Sequence, residues 1–167
     1  MLTVHALVVS QSKFGVALFG ILAEAYTGLS ADWRSLEPHN KQHILMYSFF
    51  VINGLFDILV MSRHLDQPQP PTRTNAVLPP DTQRATLLQA LIVEFVLFSF
   101  HLMNRSELDR HLHVLLLICN AFAIAASCAE WLFQQNVVVA LARSFASMFM
   151  GTWLIQVEDF HLFLFIS

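Results

Sequence analysis

The side chains of this sequence with both chemical capacity and apolar surroundings are His43, Asp57, Glu94, His101, Asp109, His113, Glu130 and Arg143. Ionisable groups inside apolar segments are costly, about 2.5–3.5 kcal/mol for a central charge on insertion scales, so they turn to a protein interior and pair. Imidazole and carboxylate groups bind metals and carry protons. Asp109 and His113, spaced i, i+4, present both groups on one helical face, and Glu94 and His101, two turns apart, share nearly one direction. This geometry permits a metal or proton site without requiring one, because the chain has no His-Glu-x-x-His helix, no closely spaced histidine series and no metal-type cysteine pair. Structural hydrogen bonding is the leading reading for Asp109 and His113. Glu94, in the middle of its segment, needs a partner such as His101, Arg143 or His43, or stays uncharged. Asp57 and Glu130 lie nearer segment ends, where solvation or helix linking suits them, and Arg143 is placed to snorkel or to neutralise one of these acids. A glycine-rich phosphate loop and a Gly-x-Ser-x-Gly elbow are both absent, and neither cysteine has an obvious activating histidine. The expectation is therefore no catalytic residue, no metal ligand set and no cofactor.

The elements that must position these groups are apolar runs separated by polar punctuation. The first covers about residues 13–28, with Val4 to Val9 as a possible extension, and the second covers 43–62. A loop at 63–84 carries five of the six prolines, which cannot continue a helix and favour extended chain. The third and fourth runs cover 85–103 and 111–133, the triplet Gln134-Gln135-Asn136 reads as a tight turn, and the fifth run covers 137–157. Glu158-Asp159 is expected to close it before a six-residue apolar tail, His161 to Ile166, too short to span a bilayer. Strand readings fail, because an open sheet edge in lipid leaves backbone groups unsatisfied.

Within these runs the polar groups keep helical spacing. His43, Tyr47, Phe50, Gly54 and Asp57 share one face with Asn53 beside them. His113, Asn120, Ser127 and Gln134 recur in heptads, alongside Asp109, Ala123 and Glu130. Arg143, Ser147 and Gly151, and in the first run Ala17, Gly20 and Glu24, are the expected inward faces of their helices, where small residues allow close contact.

Of the 167 residues, 56% are hydrophobic and 13% charged, against roughly 45–50% apolar and about 25% charged in soluble domains. Net charge is −3, with 9 basic against 12 acidic side chains, which excludes the electrostatic footprint of nucleic-acid binding. Met1 to Ser10 has no positive charge and Lys13 interrupts the apolar run, so the N-terminus reads as part of the mature chain rather than a signal peptide. Cys119 and Cys128 are nine residues apart in one run, on opposite faces and about 13 Å apart along a helix, and cannot bridge each other. With five spans the positive charges divide five (Lys13, Arg63, Arg73, Arg84 and Arg143) against four (Arg34, Lys41, Arg105 and Arg110), which sets no orientation. The one glycosylation sequon, Asn104-Arg105-Ser106, lies in a short connector.

The chain resembles the transmembrane protein 45 family, multispan eukaryotic proteins grouped as a domain of unknown function. The resemblance runs through His43-Ile-Leu-Met-Tyr47, Gly54-Leu-Phe-Asp57-Ile-Leu59, Val93-Glu94 with His101, Glu107-Leu-Asp109 with His113-Val-Leu-Leu, Glu130-Trp-Leu-Phe-Gln-Gln-Asn136, Arg143-Ser144 and Gly151-Thr-Trp153-Leu-Ile-Gln156, from about Phe14 to Val157. It implies an all-helical membrane protein of about seven spans, of which this chain matches the central five, without an established reaction or ligand. Two departures stand out: Gln42-His43 where the family tends to have a histidine pair, and His101-Leu-Met103 where it has His-x-His. Both weaken the metal reading. The expectation is an all-α, multi-pass integral membrane bundle with a His/acid-lined interior, acting in transport, trafficking or interaction. Its partners are expected to be the lipid bilayer and membrane proteins or further copies of itself. An intramembrane metal-binding protein or enzyme using the His/carboxylate cluster is the alternative.

Overall fold

A computed structural model describes residues 2–29, 35–66, 81–100, 102 and 106–166. They form five α-helices: α1 (Leu2–Gly28), α2 (Pro38–Asp66), α3 (Thr82–Phe100), α4 (Glu107–Leu132) and α5 (Val137–Ile166). Among the described residues the only β pairing is an isolated bridge between Leu29 and Leu36. Among the described residues four helical stretches are long and apolar enough to cross a membrane, His5–Gly28, Asn40–Arg63, Thr82–Phe100 and Glu107–Leu132, and α5 is apolar from Val137 to Trp153. Most of the proline-rich loop, His101 and the first two sequon residues lie outside the described residues.

Local chemistry sets the helix ends. The α1 to α2 link closes where the Glu37 amide donates to the Gly28 carbonyl at 2.9 Å, and Pro38 opens α2, a position where a proline's missing N–H costs nothing. Asp81, at φ 69°, precedes α3 and accepts from the Ala85 amide at 2.9 Å. Ser106 caps α4 by accepting from the Asp109 amide at 3.3 Å, and Glu107 and Asp109 put negative charge at the positive end of the helix dipole. For that reason α4 starts a full turn before the expected residue 111. Between α4 and α5, Gln134 and Gln135 form the expected turn, and Asn136 Oδ1 accepts from the Val138 amide at 3.0 Å. The first run takes in the extension from Val4 to Val9, since α1 runs unbroken through Ser10-Gln11-Ser12, where the Ser10 and Ser12 hydroxyls donate to carbonyls one turn back. One expectation needs correction: Glu158-Asp159 does not end the last helix, because neither residue breaks helix geometry, and α5 takes in the six-residue tail.

The chain divides into two compact units, Met1–Ala90 and Leu91–Ser167, with the division inside α3. In the first unit α1 and α2 pack along their length as an antiparallel pair. Glycines set how closely they approach. A Cβ on Gly20 would lie 2.8 Å from the Tyr47 ring, and one on Gly54 would lie 3.0 Å from the Phe14 Cα. Ala17, Met46, Asn53 and Asp57 are buried on the facing surfaces. In the second unit α4 packs along α5. Its buried residues include Leu91, Glu94 and Phe98 of α3, His113, Leu116, Asn120 and Ala123 of α4, and Ala146 and Met150 of α5. The inward face of α5 therefore passes through Ala146 and Met150. Ser147, expected inside, is exposed, and Gly151 has nothing within 4 Å of where a Cβ would stand.

Candidate functional site

The ionisable residues singled out in the sequence resolve into separate pairs. On the first unit's α1/α2 surface, His43 Nδ1 lies 2.8 Å from Glu24 Oε1. Asn40 donates from Nδ2 to Glu24 Oε2 at 2.8 Å, so one carboxylate ties two positions of α2 to the end of α1. Three to four turns away along the pair, Lys13 Nζ contacts the Asp57 carboxylate and donates to Asn53 Oδ1 at 2.9 Å. Asn53 carries the network onward, donating to Thr86 Oγ1 at 2.9 Å and to the Gln83 carbonyl at 3.3 Å in the first turn of α3. Asn53 is completely buried, so both ends of its amide are used where water cannot serve.

In the second unit His113 Nδ1 lies 2.9 Å from both the Asp109 carbonyl oxygen and Asp109 Oδ1, which occupies that nitrogen within its own helix. Its ring stands edge-on to Phe98 of α3, with centroids 6.2 Å apart. Arg143 contacts the Glu130 carboxylate across the α4/α5 hairpin. Trp153 donates from Nε1 to the Leu112 carbonyl at 3.3 Å. Glu94 differs from the rest. It is 1% exposed and its side chain meets that of Asn120, 0% exposed, in a polar contact that falls short of full hydrogen-bond geometry.

Of the partners expected for Glu94, Arg143 is committed to Glu130, His43 faces Glu24, and His101 is outside the described residues. Among the described residues no three His, Cys, Asp or Glu side chains assemble around a common point. Lys13 and Glu24 are the partners that sequence reasoning missed. The available signal was the requirement that Asp57 and His43 each find an opposite charge, together with the Ala17, Gly20 and Glu24 face already visible on α1. Cys119 and Cys128 are both free thiols.

The model of a family of unknown function, DUF716, matches residues 80–164, just over half of the chain, taking in α3, α4 and nearly all of α5. No solved structure matches the chain.

Proposed function

The chain belongs to the DUF716 family of unknown function, and from that premise we propose that it is a multi-pass integral membrane protein without catalytic activity, serving transport, trafficking or interaction within the bilayer. The observation that carries this reading is an inverted polarity. Asn53, Asp57, Glu94, His113 and Asn120 are buried, while Val16, Phe19 and Leu22 of α1, Ile118 and Phe122 of α4, and Leu141, Phe145 and Met148 of α5 are exposed. In water that arrangement loses burial energy on both counts. In lipid, apolar side chains are solvated outside and polar groups must be satisfied inside.

The pairing of His43, Asp57, Asp109, Glu130 and Arg143 with separate neighbours supports roles in holding helices together rather than in one reaction centre. The finer assignment, to the transmembrane protein 45 family, is supported by the motifs from His43 to Gln156 and agrees in kind with a family lacking a defined activity. The test is fractionation of cells expressing the full chain, followed by alkaline carbonate extraction. The protein is expected to stay in the membrane pellet, and release into the supernatant would overturn the reading. Turnover of a lipid or small substrate by the purified protein, lost in Glu94→Gln, would overturn the non-enzymatic part.

A further inference from the structure

Four acids in the helices face a base: Glu24 faces His43, Asp57 faces Lys13, Asp109 faces His113 and Glu130 faces Arg143. Glu94 has none. Both of its carboxyl oxygens are buried, as are the amide oxygen and nitrogen of Asn120 beside it, and the polar contact between the two side chains falls short of full hydrogen-bond geometry. Buried polar atoms in native proteins are almost always satisfied, and a group of them left open marks the place of a water or an ion. Charge narrows the choice. A carboxylate 1% exposed, in a unit whose buried residues include Leu91, Phe98, Leu116 and Ala123, requires one positive charge to be stable there.

Among the described residues the cationic groups on these helices are either exposed, as Arg110 and His111 of α4 are, or already engaged. His113 is held by Asp109 and packed on Phe98, Arg143 is held by Glu130, and Arg84 is held by Asp81. We propose that Glu94 and Asn120 form an intramembrane site for one monovalent cation, a proton or a sodium ion. The site offers three oxygen donors, two from Glu94 and one from Asn120, a hard set that suits such a cation and lacks the thiolate or imidazole that selects transition metals. A single carboxylate balances a single charge, and among the described residues no further acid joins it to hold a divalent ion. The inference rests on the membrane reading, because the lipid-facing shell is what denies the carboxylate other compensation.

The test uses the full chain in phosphatidylcholine vesicles, treated with dicyclohexylcarbodiimide, a lipid-soluble reagent that adds to enclosed carboxylic acids. Labelled peptides are read by mass spectrometry over a pH series in choline buffer, with and without sodium chloride. Label is expected on Glu94 and lost in Glu94→Gln. Protection by sodium identifies the ion as sodium, whereas labelling that follows pH and ignores sodium identifies a proton. Asn120→Leu removes one donor and is expected to shift the sodium or proton concentration for half-labelling by about tenfold, the scale of one hydrogen bond to a charged group.

Glu94 that stays unlabelled under every condition overturns the proposal, and so does a dependence unchanged by Asn120→Leu in protein of native helical content. Glu94→Asp, which keeps the carboxylate, is the second variant: it is expected to retain a cation-dependent label at a shifted midpoint. Alkaline carbonate extraction of the same vesicles separates the two failures. Extraction of the protein overturns the membrane reading and the site together, while retention without label overturns the site alone.

Discussion

Lys13 shows how much one side chain's position decides. In the sequence it is a charge that interrupts an apolar run, while in the fold it is the counter-charge for Asp57 and a donor to Asn53. Its side chain is 35% exposed against 11% for Asp57, so the lysine stem lies along the helix pair and delivers its charge inward. Lys13→Met leaves a largely buried carboxylate without its base and is expected to destabilise the protein by about 1–3 kcal/mol, as for other charged groups deprived of a partner. Thermal unfolding in detergent, followed by helical circular dichroism, is the measurement. The double variant Lys13→Met/Asp57→Leu is expected to lose less than the sum of the two single variants, because no charge is then left uncompensated. Residue type and position alone made it legible that Glu94 needs a partner or stays uncharged, and that solvation or helix linking suits Asp57 and Glu130. Which base each one meets was not legible, because that depends on the register of one helix against another.

Helix register is where the glycines matter. Gly15 and Gly54 both lie inside helices, yet a Cβ on Gly15 meets nothing within 4 Å, whereas one on Gly54 comes to 3.0 Å from the backbone of Phe14. Gly15→Ala is expected to raise stability by up to about 1 kcal/mol through helix propensity. Gly54→Ala is expected to forfeit that gain or reverse it, since α1 would have to move off α2. Unfolding midpoints of the two variants side by side check the contrast. The start of α4 provides a second test at this scale. Ser106→Ala removes the acceptor for the Asp109 amide and is expected to cost about 1 kcal/mol, again read as a shift in the thermal midpoint. Element type and approximate extent were readable from the apolar runs and the proline-rich interruption. The inward faces of α2 and α4 were readable from the spacing of His43 to Asp57 and of His113, Asn120 and Ala123. The face of α5 was not, because Arg143, Ser147 and Gly151 match the helical period as well as Arg143, Ala146 and Met150 do, and only packing against α4 chose between them.

For the whole molecule, the division into two units carries its own expectation. The Lys13 and Asp57 pair belongs to the first unit and the Glu130 and Arg143 pair to the second, and they share no partner. Losses from Lys13→Met and Glu130→Gln are therefore expected to add to within about 0.5 kcal/mol in the double variant, measured by the same unfolding assay. A larger coupling would show that the two pairs are energetically linked. The sequence by itself determined the all-helical class, the apolar stretches long enough to span a bilayer and the presence of acids needing compensation, because these follow from local composition and period. Only the tertiary structure decided that Glu24 answers His43, that Lys13 answers Asp57, and that Glu94 has Asn120 beside it and, among the described residues, no base. Pairing depends on how helices distant in sequence slide and rotate against one another, and close contacts such as Gly54 on Phe14 fix that register once the chain has folded.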